Sequence, residues 1–247
     1  MLDRYYFLAS LPALGDLGTE PPMGLAELLE HLAGSWSRHL LVSTIVLLVD
    51  LVKREGYLAG EVEEVDPAVL SVQQGYGEQP LPEALLEFMD GEDSGQQSGA
   101  LADKVWEAYF RLADATATRL GSQFLADWVR FEVSLRNALV TVRAKRLGLE
   151  PASYMIARDL STADEGFEAV LAEWASSPNP LVGQQVLLRF RWDWLDLHDA
   201  WFSFRDDELA AYAIRLILQQ EWMRITPDSL KRPAAEAAAA AVDESTG

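Results

Sequence analysis

The chain has 247 residues, of which 49% are hydrophobic, a formal net charge of −19 and no cysteine. That length and apolar content suffice for a packed core and exclude a largely disordered chain. The missing cysteines exclude disulfides, thiolate metal sites and cysteine nucleophiles, and the excess of carboxylates opposes general binding to nucleic acid or anionic lipid.

The amino terminus, Met1-Leu2-Asp3-Arg4-Tyr5-Tyr6-Phe7, has neither a basic leader nor a long apolar region, so no signal peptide is expected. Tyr5–Leu8 is the one place where strand alternation is considered. Pro21-Pro22 leads into a helix over Gly24–Ala33, with Leu25, Leu28, Leu29 and Leu32 at helical spacing. A second helix is predicted over Ser37–Glu55, ending at Gly56. Its Leu40–Val49 stretch is the most apolar in the chain. It is far shorter than the roughly 20 residues a bilayer span needs, and Asp50 follows it. The expectation is therefore a soluble, cytoplasmic protein with no membrane insertion of its own.

Gly75-Tyr76-Gly77 reads as a loop, and a short helix is predicted over Pro82–Met89 with proline near its first turn. Gly91 to Gly99 has the composition of a flexible linker. It divides the chain into an amino-terminal helical lobe over 1–90, a linker over 91–99 and a main helical part over 100–232. Residues 233–247 are an Ala-rich tail expected to be disordered.

Helices are predicted over Ala100–Leu120 and Gln123–Leu147, with Gly121-Ser122 between them and Gly148 closing the second. In the second, Phe124, Trp128, Phe131, Leu135, Leu139 and Val142 form an apolar stripe. Asp127, Arg130, Ser134, Asn137, Thr141 and Lys145 form the opposite, polar one. Glu132 and Arg136, four apart, are expected to pair on the helix surface. Asn137 is either an interhelical hydrogen-bonding residue or exposed. Further helices are predicted over Ala163–Ser176, Pro180–Phe202 and Asp206–Met223, the last started by a cap between Ser203 and Asp206. The fold class is all-α.

Charge is distributed unevenly. Residues 55–103 hold twelve acidic residues and no basic one, whereas residues 104–148 hold eight basic and four acidic residues. Arg143, Lys145 and Arg146 lie in the last turn of their helix. There they complement its negative end or form a docking surface for an acidic partner.

The three histidines show no metal-ligand spacing, Glu27 and His31 are four rather than three apart, and no phosphate-binding glycine pattern or nucleophile elbow is present. No cofactor or metal site is expected. The catalytic candidate is Asp193-x-x-Asp196-x-x-Asp199, whose carboxylates share a broad helix face and have the oxygen chemistry magnesium prefers. Helical isoprenoid synthases use a superficially similar helix, but this chain lacks their doubled aspartate and a second acidic motif. The competing reading is a solvated face, or ion pairs with Arg189, Arg191 and Arg205. Around these aspartates, residues 190–222 hold four of the chain's eight tryptophans, Trp192, Trp194, Trp201 and Trp222. They favour a packed helical hairpin.

Three stretches together carry a family resemblance: Tyr5–Pro12; Trp128–Gly148 with its Asn137-Ala-Leu-Val-Thr-Val-Arg143-Ala-Lys145-Arg146 run; and Trp194–Trp222 with Phe202-Ser-Phe204, Tyr212 and Arg215-Leu216. The chain resembles a bacterial family associated with V/A-type ATPases and distantly similar to the C subunit of those enzymes, the counterpart of the d subunit of eukaryotic V-ATPases. The resemblance implies packed helical-bundle lobes and no active site. It implies a non-catalytic adaptor that seats the central stalk on the membrane ring and supports ion transport, peripheral to the membrane through the complex. Its partners would be other ATPase subunits. Arg143, Lys145, Arg146, Asp193, Asp196 and Asp199 are the expected partner-binding residues, all on charged rims. The chain is shorter than the usual C subunit, and its acidic 55–103 region matches no motif of that family. The alternatives are a free-standing helical interaction protein and, below it, a magnesium-dependent helical enzyme.

Overall fold

A computed structural model describes residues 7–89, 101–162, 166–198 and 205–226. The described residues contain α-helices and short 3-10 turns and no strand, so the all-α class holds. Phe7 and Leu8 belong to a helical turn over residues 7–10, not to a strand. Tyr5 lies outside the described residues, as do the 91–99 linker, Ser203 with its predicted cap, Asp199, Trp201 and the tail.

After that turn the described residues form nine α-helices in order: α1 (Leu25–His31), α2 (Trp36–Leu58), α3 (Val72–Gly75), α4 (Glu83–Met89), α5 (Leu101–Leu120), α6 (Gln123–Leu147), α7 (Phe167–Ser176), α8 (Pro180–His198) and α9 (Asp206–Ile225). Residues Pro151–Ser153 and Arg158–Leu160 form 3-10 turns. Helix α2 does not stop at Gly56 but continues to Leu58, and the chain reverses at Gly60, whose φ of 74° suits a residue without Cβ. Gly75, expected in a loop, closes α3, which a Ser71–Gln74 capping box starts.

The packing centres on α6. With α5 it forms a hairpin turning at Gly121, and it also packs on α7, α9 and both 3-10 turns. Helix α2 lies against α5 and α9, while α8 joins α7 to α9. One apolar cluster runs through the whole, from Leu28 and Leu41 in the amino-terminal helices to Leu135, Leu195 and Leu216. It therefore includes residues from both sides of the 91–99 stretch.

Local chemistry explains the helix ends. The Ser122 hydroxyl accepts the Leu125 amide at 3.2 Å as the α6 amino-terminal cap and donates to Asp207 at 2.6 Å, tying two helix starts together. Gly148 ends α6 in the left-handed region at φ 68°. Helix α6 is nevertheless less amphipathic than its stripes suggest. Ser134 and Asn137, placed on the polar face, are buried. The Ser134 hydroxyl accepts the Thr162 amide at 2.9 Å. Asn137 donates to the Ile156 carbonyl at 2.9 Å and accepts the Ile156 amide at 3.1 Å. The segment after Gly148 thus folds back over the polar side of α6 and satisfies it.

A second buried polar anchor is Asp50 in α2, which has no exposure. Its carboxylate accepts the amides of Ala68, Val69 and Leu70 at 2.6–3.1 Å. Three donors converge on one anion, so the bonds are charge-assisted and the loop after α2 is fixed to that helix.

Candidate functional site

The aromatic residues of α8 and α9 are structural. Trp194 stacks on Phe131 at 4.9 Å between ring centres and meets Trp128 at 5.3 Å and Phe124 at 5.9 Å, all from α6. His198 stacks on its other side at 4.0 Å. Phe190 adds contacts to Phe131 and Phe167. Each such ring pair contributes about 0.5–1.5 kcal/mol beyond its buried area, so the cluster locks α6, α7 and α8 together.

Around this core the charges are arranged in specific pairs. Glu132 does not pair with Arg136. It accepts two hydrogen bonds from Arg191 of α8, at 2.6 and 3.0 Å, in a fork that only arginine offers. Burial alone would lower the Arg191 guanidinium, but the Glu132 carboxylate outweighs it and holds the group above its ordinary value. Arg136 turns the other way, toward Asp103 at 3.4 Å and over the Trp106 ring at 5.4 Å. Burial lowers its guanidinium despite the attraction of Asp103 and Glu55. Helix α6 faces a different neighbour at each of these positions, so tertiary pairing overrides the i,i+4 rule.

The two groups singled out from the sequence take unequal places. Arg143 lies over the Trp174 ring at 5.1 Å, and Arg146 donates to the Ala175 carbonyl at 2.8 Å, so both fasten α6 to the end of α7. Lys145 is exposed, and its side chain makes no hydrogen bond or ion pair among the described residues. Next to it, Leu147 is 72% exposed, and Leu149 and Tyr154 are exposed as well.

On α8, Asp196 pairs with Arg215 of α9 at 2.9 Å. It does not use Arg189, Arg191 or Arg205 for this pair. Arg215 is buried and lies over the Trp192 ring at 4.9 Å. Arg189 lies over Trp222 at 5.4 Å. Asp193 is exposed and lines a shallow cleft of about 210 Å³ with Glu173, Arg189 and Phe190. Asp193 and Asp196 thus have different surroundings, one on a cleft rim and one in an ion pair, and Asp199 lies outside the described residues. Among the described residues no group of three histidine, aspartate or glutamate side chains is placed to hold a metal. No described helix is long and apolar enough to cross a membrane.

Sequence reasoning missed Asp50, the Arg191–Glu132 fork and the Arg215–Trp192 stack. None has a sequence signal, because each partner lies on another element. What the arrangement offers chemically is a braced helical body with charged and apolar surfaces at the helix ends. No curated protein and no solved structure matches the chain. One family model does match, over residues 58–229, from the end of α2 to just past α9. Its description is that of a protein of unknown function, DUF2764, and since it spans well over half of the sequence, the chain belongs to that family.

Proposed function

We propose that the protein is a non-catalytic subunit or accessory protein of a rotary V/A-type ATPase, acting as an adaptor between central stalk and membrane ring. The observation that carries this reading is the resemblance of Trp128–Gly148 and Trp194–Trp222 to the C subunit of those enzymes. Those stretches correspond to most of α6, the last turn of α8 and most of α9, and the Trp194 ring cluster joins α6 to α8. Rigid packing of that kind supports the reading, because an adaptor must transmit torque without yielding. The charged rims support it too, since complementary charge guides docking and fixes register.

Partner contact through the end of α6 is assigned to Lys145, helped by the exposed Leu147. Arg143 and Arg146 serve first to hold α7 and reach the partner only at their edges. The test is affinity co-purification of the ATPase from cells in mild detergent at low salt. Lys145→Glu is expected to reduce recovery of the ATPase chains several-fold while thermal unfolding of the protein itself is unchanged. Undiminished recovery would reject this contact. Failure of the wild-type chain to bring down any of the ATPase chains would reject the adaptor reading. A gene position beside those of the ATPase is the cheaper check.

A further inference from the structure

Residues 11–23 lie along α9 without forming a helix. Among the described residues their backbone makes two hydrogen bonds to other backbone groups, Leu11 to Leu8 and Thr19 to Asp16, and none to the helices beneath. Side chains hold the segment instead. The Tyr212 hydroxyl donates to the Pro12 carbonyl at 3.0 Å. The Gln219 amide donates to the Gly15 and Asp16 carbonyls at 2.7 and 3.3 Å and to the Thr19 hydroxyl at 3.1 Å. Tyr212 and Gln219 are two helical turns apart and share one face of α9. At the head of the segment, Phe7 meets Arg38 of α2 at 5.2 Å.

The fit of this segment on α9 is incomplete. Leu11, Leu14 and Leu17 pack against the core but are only partly buried. A cleft of about 200 Å³ remains between segment and helix, with Leu8, Leu11, Pro12 and Leu14 on one side and Tyr212 and Arg215 on the other. Gln219 has no exposure, yet its Oε1 makes no hydrogen bond. The docked arrangement thus carries the cost of a buried acceptor without a donor, which water removes once the segment lifts. Beyond Glu20 the attachment changes. Met23 is buried in the core, and its carbonyl accepts from Gln220 at 3.4 Å. Pro21 and Pro22 fix their own φ and stiffen that end, which leaves the exposed Glu20 as the pivot.

We propose that residues 7–19 are a releasable strap. It lifts off α9 about Glu20 while α1 to α9 stay folded, and it uncovers the face of α9 that carries Tyr212, Gln219 and Trp222. Gly18 lies over the far end of that face, since a methyl group placed on it would be 3.3 Å from the Trp222 indole nitrogen. Helix α9 keeps its own backbone bonds when the strap leaves. Opening therefore gives up only side-chain bonds and partial apolar burial, as local openings do. The proposal is independent of the ATPase reading, because both states belong to the chain alone.

Native-state proteolysis of the purified full chain tests it, with a protease that cuts before aspartate. Mass spectrometry reads the initial rate at which a fragment ending at Gly15 appears, a rate that follows the population of the open strap. Below the unfolding transition the rate is expected to stay flat with urea, because lifting the strap exposes little surface. Gln219→Leu removes the amide that holds three groups of the strap and should raise the rate at least about tenfold, 1.4 kcal/mol in the opening equilibrium. Tyr212→Phe should raise it too, and both variants should keep the flat urea dependence. A rate that climbs with urea as steeply as global unfolding would overturn the proposal, since the strap would then leave only with the whole fold. Acceleration by Gln219→Leu but not by Tyr212→Phe would overturn it in favour of fraying of the Gly15–Thr19 turn alone. A rate that neither variant changes would overturn it by showing that the bond is cut in the docked strap.

Discussion

At the scale of single residues, the charges that matter are the ones taken out of water in pairs. Glu132 and Arg191 are only 12% and 19% exposed in their side chains and share two short hydrogen bonds. Removing one partner strands the other, at a cost of about 3–5 kcal/mol. Glu132→Leu is therefore expected to lower the unfolding free energy by about that amount, measured by urea denaturation. Glu132→Leu combined with Arg191→Met should recover most of the loss. A double variant as weak as the single one would contradict the pairing. Asp159 is a different case, exposed yet gripped by both terminal nitrogens of Arg111 at 3.0 and 3.1 Å. The hydrogen bond from Arg111 is the main reason its carboxyl is held below the usual 3.8, against the opposing effect of burial. A lowered folded-state value means the contact stabilises fully above 3.8 and is lost as pH falls through the folded value. An NMR titration should place the Asp159 midpoint below 3.8 and return it there in Arg111→Gln. An unmoved midpoint would show the contact to be absent in solution. None of these pairs was legible in the sequence. The visible pattern, Glu132 four residues before Arg136, favoured a local pair, and only the fold shows that the two side chains have different partners.

At the scale of elements, the helices themselves were legible, because apolar spacing and glycine stops act within one stretch of chain. Helix α6 runs over Gln123–Leu147 and stops at Gly148 as expected. Of its polar stripe, Ser134 and Asn137 are buried and hydrogen-bonded, because their cover comes from residues 156–162, whose path leaves no periodic mark. The same segment holds Ala157 in the left-handed region at φ 43°, uncommon for a residue with a Cβ. The Asn137 bonds to Ile156 hold the chain on the preceding residue. The aromatic density of 190–222 was legible as packing, and Trp194 is where the element-scale account is most exposed to test. Trp194→Ala is expected to cost about 3–5 kcal/mol. It should also speed amide exchange in α8 more than in α2, which the ring cluster does not touch. A loss under about 1 kcal/mol would mean the stack does not bind α8 to α6.

At the scale of the whole molecule, one continuous core spans the amino-terminal and main helical parts, and the unused surface gathers at helix ends. Leu58 and Leu101 are exposed at the end of α2 and the start of α5, while Lys145 and Leu147 are exposed at the end of α6. Such surfaces suit a body held between neighbours. The sequence showed this only as uneven charge, since which leucines remain exposed depends on how helix ends line up. The adaptor assignment rests on motif resemblance, so the decisive observation is one of composition. Native mass spectrometry of the V/A-type ATPase from the same cells, purified in mild detergent by a tag on another of its chains, measures it. The account predicts a chain of 27.4 kDa in the intact complex, released as salt is raised. A complex with complete stalk and ring that lacks this chain at every salt concentration would contradict it.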